Sequence, residues 1–386
     1  MASIKRNFKK YILLGIILPV LASNSFAQAS KTPKYVVIGY VGGYRGLYDT
    51  AIISPNKLTH INYAFVNVRN NRACLGKPAT DTINFKNLVK LKARNPSLKI
   101  LISIGGWGGS RNFSDAVFTD TAREGFAASA VDIIRKYNLD GVDIDWEYPD
   151  DIGAGNIFRP EDKQNYTLMF QKIRLYLDTL EKQTGRKLYL TAAVGGFNRF
   201  LQQTEMGNAA KYLDYVSLMT YDYAQDSLHI ILHHTNLFAS KGYRTLCSAD
   251  MTVKDFEAAG VPASKLVVGV AFYGHTLTAA DSTRGILGVK TTHVHIRGGG
   301  GGYTFIKDSL INKKGFKYYR DKDAKAPYLF NASTKQFVTF DDEWSVKKKC
   351  QYVTKEQLAG VMFWEYSSDK KEYLLNEIDK DLKLTR

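Results

Sequence analysis

The 386-residue sequence predicts an α/β fold in which eight parallel strands and their helices close into a (β/α)8 barrel. Three observations predict it. Short runs rich in aliphatic and β-branched residues recur eight times, at 36–40, 58–66, 98–106, 139–147, 188–194, 213–221, 266–273 and 358–366. Between most of them lie stretches of helical period, such as 121–137 and 161–183, where apolar residues return every three or four positions. Strands alternating with helices imply a parallel sheet, and no Gly-rich phosphate loop follows the first run, as an open doubly wound sheet would often carry. Eight such units close naturally into a TIM barrel over residues 34–386.

The first segment stands apart. Lys5, Arg6, Lys9 and Lys10 precede an apolar run at 11–21, and the small residues Ser25 and Ala27 follow. That is the layout of a secretory signal at 1–27, with cleavage after Ala27. Pro19 interrupts the run, which is shorter than the ~20 residues a spanning helix needs. The expectation is a secreted protein, extracellular or periplasmic, with no membrane attachment once the signal is removed. Removal takes four basic residues and no acidic one, so the net charge of +16 becomes +12. The remaining Lys and Arg are scattered rather than clustered, which argues against nucleic acid as a partner. Compositions of 45% hydrophobic and 23% charged residues exclude both a disordered chain and a many-pass membrane protein. Cys74, Cys247 and Cys350 are far apart and odd in number; export permits one disulfide, and spacing does not choose the pair.

The interval after the seventh run is too long for an ordinary loop. Residues 275–340 contain aromatic and β-branched runs at 328–330 and 337–340, and Asp341 and Asp342 then open a helical stretch. The expectation is a small α+β insertion between strand 7 and helix 7. Its five glycines at 298–302 read as a mobile lid or a plain linker. His293 and His295 precede them without the Cys or carboxylate spacing of a metal site, and no metal is expected.

The fourth run carries the chemistry. In Asp140-Gly-Val-Asp143-Ile-Asp145-Trp-Glu147 the strand period puts Val142, Ile144 and Trp146 on one face and Asp143, Asp145 and Glu147 on the other. With the apolar face against the helices, three carboxyl groups point into the barrel. Burial and like charge both disfavour ionisation, so the stack is expected to titrate as a coupled unit and keep at least one proton near neutral pH. A retained proton is what a general acid needs. Barrel active sites lie at the C-terminal strand ends, which makes Glu147 outermost and the proton donor, with Asp145 and Asp143 below it. A spacing of about 6.8 Å per step is awkward for a single metal ion. Asp140 has the other parity and reads as structural.

At these residues the sequence resembles glycoside hydrolase family 18, the chitinases, whose fourth strand carries DxxDxDxE, matched by Asp140, Asp143, Asp145 and Glu147. Ser103-Ile-Gly105-Gly106 looks like the family's third-strand motif, Met219-Thr-Tyr221-Asp222 like its sixth, and 360–364, ending in Trp364, like its eighth. Many members carry an α+β domain where the insertion falls. The resemblance implies a retaining, substrate-assisted hydrolase of chitin and chito-oligosaccharides, needing no cofactor. Glu147 is then acid and base, Asp145 holds the acetamido group, Asp143 tunes Asp145, and Tyr221 donates to the acetamido carbonyl. Asp222 assists positioning, Met219 lies beside them, and Trp364 forms the floor under the sugar; each of these singly could be core, a satisfied hydroxyl or a helix cap. Tyr40, Phe65 and Trp107 sit at strand ends and read equally as sugar contacts or core. The sixth motif continues as Tyr223-Ala-Gln-Asp226, where many relatives have a small residue or His-Gly. Rival readings are an endo-β-N-acetylglucosaminidase acting on N-glycans and a non-catalytic chitin-binding lectin; such lectins replace the proton donor, which Glu147 supplies here. A monomer is expected.

Overall fold

The computed structural model describes residues 34–384 except 225–228, 282–285 and 295–300. The signal segment, His295, three of the five glycines and Gln225–Asp226 lie outside the described residues. Eight parallel strands form one closed ring: β1 Val36–Gly42, β2 His60–Arg69, β3 Lys99–Gly105, β4 Gly141–Asp145, β5 Tyr189–Gly195, β6 Tyr215–Met219, β7 Leu266–Ala271 and β8 Gly360–Trp364. Each pairs with its successor, and β1 pairs with both β2 and β8, so the sheet has no free edge. All eight expected runs are strands.

These runs read as nearly continuous apolar stretches because both faces are covered. On the outer face of β4, Val142, Ile144 and Trp146 are fully buried. The Trp146 ring stacks on Phe113 at 5.1 Å and meets Tyr166 at 5.9 Å, on the helices Phe113–Phe118 and Asp162–Thr184. Burying an indole there contributes at most about 4–6 kcal/mol. The helix Asp120–Tyr137 starts at Thr119, whose hydroxyl accepts from Ala122 N, and stops at Asn138 in the left-handed conformation. No helix among the described residues is long and apolar enough to cross a membrane.

Two features depart from the expected layout. β2 runs past the barrel and folds back through Asn70 and Asn71, both at positive φ, into the short antiparallel strand Arg72–Leu75. Paired asparagines suit a tight hairpin turn that needs φ > 0 twice. The strand ladder of β4 also stops at Asp145, two residues before Glu147.

After β7 the chain builds an antiparallel sheet in the spatial order Thr291–Val294, Tyr273–Ala279, Gln336–Thr339, Ala326–Asn331, Lys317–Asp321. It begins at Tyr273, two residues ahead of the expected boundary. Gly301 and Gly302 are not linker: they pair antiparallel with Gly274 and Tyr273. A Cβ on Gly302 would come within 2.6 Å of the Ser368 carbonyl, so this strand is glycine because it runs hard against the segment after β8. Leu277 and Phe337 of the sheet pack on Tyr223 and Ile231, in the long segment after β6. Helix Glu343–Lys355 then starts at Asp342, which shares a capping box with Ser345. Asp341 does not cap it. Its carboxylate lies fully buried against Lys349 Nζ at 2.7 Å and accepts from Thr235 and Ala271 N, tying helix, loop and β7 together. All three cysteines are free thiols.

Candidate active site

The fourth-strand acids are graded in exposure, Asp143 at 0%, Asp145 at 4% and Glu147 at 8%, so the last two reach the cleft and Asp143 lies beneath it. Asp143 is surrounded by hydroxyl donors: Tyr40 at 2.9 Å, Ser103 at 2.8 Å and Thr191 at 2.6 Å, from β1, β3 and β5. Burial raises its pKa and these donors partly reverse that. Asp145 has no such help. Burial, then Glu147 and Asp143, push its carboxyl well above the usual range, and its Oδ1 is buried with no hydrogen-bond partner. Asp145, between two other acids, is therefore less well compensated than Asp143.

The Ser-x-Gly-Gly motif of β3 explains how β4 is held. Ser103 reaches Asp143, while Gly105 and Gly106 adopt positive φ so that Gly106 N donates to the Asp145 carbonyl at 2.7 Å. A Cβ on Gly105 would meet that carbonyl at 2.1 Å, and one on Gly106 would enter the Phe65 ring. Beyond the ladder, Ser110 Oγ accepts from Glu147 N at 2.8 Å, which continues the alternation without a neighbouring strand. Asp140, buried, accepts from Ile100 N and pairs with Lys92 and Arg186, the structural role its parity implied.

The mouth of the barrel opens into a cleft of ≈ 1410 Å³, above the ~300–1,000 Å³ of ordinary small-ligand sites. Glu147, Asp145, Tyr221, Asp222, Met219 and Trp364 all line it. Phe65 stacks on Trp364 at 5.5 Å, and Trp107, 40% exposed, stands on the rim beside Tyr148. Tyr40, 1% exposed, also borders the cleft, its ring 5.7 Å from Trp364, while its hydroxyl donates to Asp143 and so supports the stack. Burial, then Asp145 and its neighbouring carboxylates, raise Tyr221 well above the usual phenol range and keep it a donor.

Asp222 follows Tyr221 in the left-handed conformation, φ 59°, which an aspartate tolerates better than most residues. Tyr273 Oη donates to its Oδ1 at 2.6 Å, and His275 Nε2 lies 2.8 Å away. Burial raises its pKa, but the imidazoles of His234 and His275 more than reverse this and hold it far below the usual range. Burial, then His275, pull His234 down to about 4. Sequence reading missed Tyr273, His234 and His275, because they reach Asp222 from the insertion and from the loop after β6. It also missed three further cleft carboxylates. Asp151 pairs with Arg199 at 2.7 Å, Glu365 with Arg45 at 2.9 Å, and Asp81 accepts from Tyr63 at 2.7 Å.

The family model for glycosyl hydrolases family 18 matches residues 36–369. The chain belongs to that family. Chitinase A1 of Niallia circulans is 37% identical over 96% of this chain; the chain spans only 62% of that relative's length. Chitinase B of Serratia marcescens is 30% identical over 84% of the chain and 76% of the relative. Among solved structures, a glycoside hydrolase family 18 N-acetylglucosaminidase from Paenibacillus barengoltzii superposes with a TM-score of 0.84 at 40% identity, covering 90% of this chain and 99% of that one. The expected family and barrel are thus both present in this chain.

Proposed function

We propose that this family 18 enzyme is a secreted, monomeric chitinase that cleaves β-1,4-linked N-acetylglucosamine polymers and oligomers with retention, the substrate's own acetamido group acting as nucleophile. One observation carries the reading. Asp145 Oδ1 is a buried acceptor with no donor, directly below the proton donor. Leaving such an atom unpaired costs about 1–3 kcal/mol, which a substrate N–H placed there returns. An acetamido N–H is the donor that chitin supplies.

Glu147 protonates the glycosidic oxygen. Asp145 accepts the acetamido N–H and Tyr221 donates to its carbonyl, holding that oxygen beneath the anomeric carbon. It attacks as the leaving group departs, and Glu147, now a base, deprotonates the water that opens the oxazolinium ion. An ordinary retaining enzyme would need a second carboxylate ~5–5.5 Å from the acid. Of the other cleft carboxylates, Asp151, Glu365, Asp81 and Asp222 each already hold a donor or cation. The acetamido oxygen as nucleophile is what the resemblance to family 18 implies, and the unpaired Asp145 acceptor supports it. The basic and apolar N-terminal segment supports export, and the relatives named chitinases support the polymer as substrate.

Rapid NMR of early products from chitohexaose tests the mechanism: the β-anomer should appear first, and fully deacetylated chitosan should resist cleavage. An initial α-anomer or efficient chitosan cleavage refutes it. The P. barengoltzii neighbour is described as an N-acetylglucosaminidase, so the same digest also separates monomer release from internal cutting. Release of an intact N-glycan instead of chito-oligosaccharide cleavage would favour the endo-β-N-acetylglucosaminidase reading.

A further inference from the structure

We propose that Asp222, His234 and His275 form a zinc-binding site in the cleft wall, through which Zn²⁺ reversibly inhibits the enzyme. One donor atom from each of the three side chains lies within 4.8 Å of the others. His275 Nε2 stands 2.8 Å, and His234 Nδ1 3.8 Å, from Asp222 Oδ1, and the two imidazole centroids are 4.5 Å apart. Tetrahedral zinc with bonds of ~2.0–2.1 Å puts its ligand atoms about 3.3 Å apart, so the two distances to Asp222 Oδ1 need shifts of about 0.5 Å, while the two imidazole nitrogens, within 4.8 Å of each other, close by up to about 1.5 Å through ring rotation.

His234 supplies an independent observation. It is fully buried and neither of its ring nitrogens makes a hydrogen bond. Its neighbour His233 shows the ordinary solution for a core histidine, with Nε2 on Asp321 at 3.2 Å. A buried imidazole with no close hydrogen bond costs stability, and its Nδ1 faces Asp222 at 3.8 Å, near enough for electrostatic attraction but too long for a good hydrogen bond. A metal is the partner that an N₂O donor set of this size accepts, and imidazole with carboxylate suits zinc. Asp222 and His275 both line the cleft, which leaves a fourth position open to water.

Zinc in that position draws Asp222 Oδ1 away from Tyr273 and sets a divalent charge one residue from Tyr221, so turnover falls as the site fills. The three ligands come from the end of β6, the loop after it and the insertion's first strand. The site exists only because the insertion folds onto the barrel, which is why no metal spacing shows in the sequence.

The test is calorimetric titration of the chelator-treated full chain with Zn²⁺ alone, with the visible absorption of Co²⁺ as a second probe of geometry. One metal per chain with a tetrahedral cobalt spectrum is expected. His234→Gln and Asp222→Asn should each weaken binding by about 100-fold or more, since even changes behind a ligand cost ~10–100-fold. If His234→Gln does not fold, Asp222→Asn, which can still accept from Tyr273, decides alone. The absence of saturable binding at submillimolar zinc overturns the proposal, and so does stoichiometric binding that survives the substitution.

Discussion

Asp145→Asn should make the protein more stable while nearly abolishing its turnover. The carboxyl lies between Asp143 and Glu147, 4% exposed, with one oxygen unpaired, whereas Asp143 below it has three hydroxyl donors. Removing the charge relieves a buried, uncompensated group worth about 1–3 kcal/mol. The gain depends on pH in a definite direction. The folded pKa is raised, so between the unfolded value and the folded one the native state holds a proton that the unfolded state has lost. Stability of the wild type therefore falls as pH rises through that window, and the penalty is complete above the folded pKa. The difference between Asp145→Asn and wild type should be near zero at about pH 3, below the unfolded pKa of ~3.9, and reach its full value on the alkaline side. With an unfolding entropy of ~2.1 cal/mol/K per residue over ~350 residues, 1–3 kcal/mol is about 1.5–4 °C in Tm. Urea unfolding at several pH values, paired with a chito-oligosaccharide assay, measures both effects. A variant less stable than wild type at neutral pH, or a difference that does not change with pH, would refute the claim that Asp145 is held at a cost to the fold for the sake of substrate.

Glu147→Gln should keep the fold and bind oligosaccharide but lose at least ~10²- to 10⁴-fold in kcat, because the proposed mechanism uses it as acid and then base; near wild-type turnover of the folded variant removes the assignment. Trp364→Ala should lower kcat/KM by about 10- to 100-fold if, as proposed, the indole stacked on Phe65 is the floor under the sugar, and steady-state kinetics on oligomers of increasing length will show it. Lys349→Met should destabilise by about 3–5 kcal/mol by stranding the buried Asp341 carboxylate, read as a lowered urea midpoint; an unchanged midpoint would mean the pair is not holding β7 to its helix. Tyr273→Phe removes a 2.6 Å donor from Asp222 and should reduce kcat more than it changes KM, whereas equal binding loss on all substrates would make Tyr273 a wall residue only.

The barrel and its acid stack were legible in the sequence because both are local periodicities. Eight apolar runs mark eight strands buried on both faces, and a two-residue alternation at 143, 145 and 147 puts the acids inward whatever surrounds them. Ser103 and the Gly105-Gly106 pair were legible as a motif, but their reason is tertiary: a hydroxyl for Asp143 and room for the Asp145 carbonyl. Tyr40 shows the limit of position alone, since a strand-end tyrosine turns into the stack only because β1 and β4 face each other across the closed ring. The Asp222 cluster was beyond reading in one dimension. Its histidines lie 12 and 53 residues away on a loop and an insertion strand, and no period links them. What the chain determined by itself were the elements and the groups they carry along one strand. Which donors reach which carboxylate, and so which acid is satisfied, which is left waiting and which is held charged, was decided by packing, because those free energies depend on distances between segments that only the folded protein brings together.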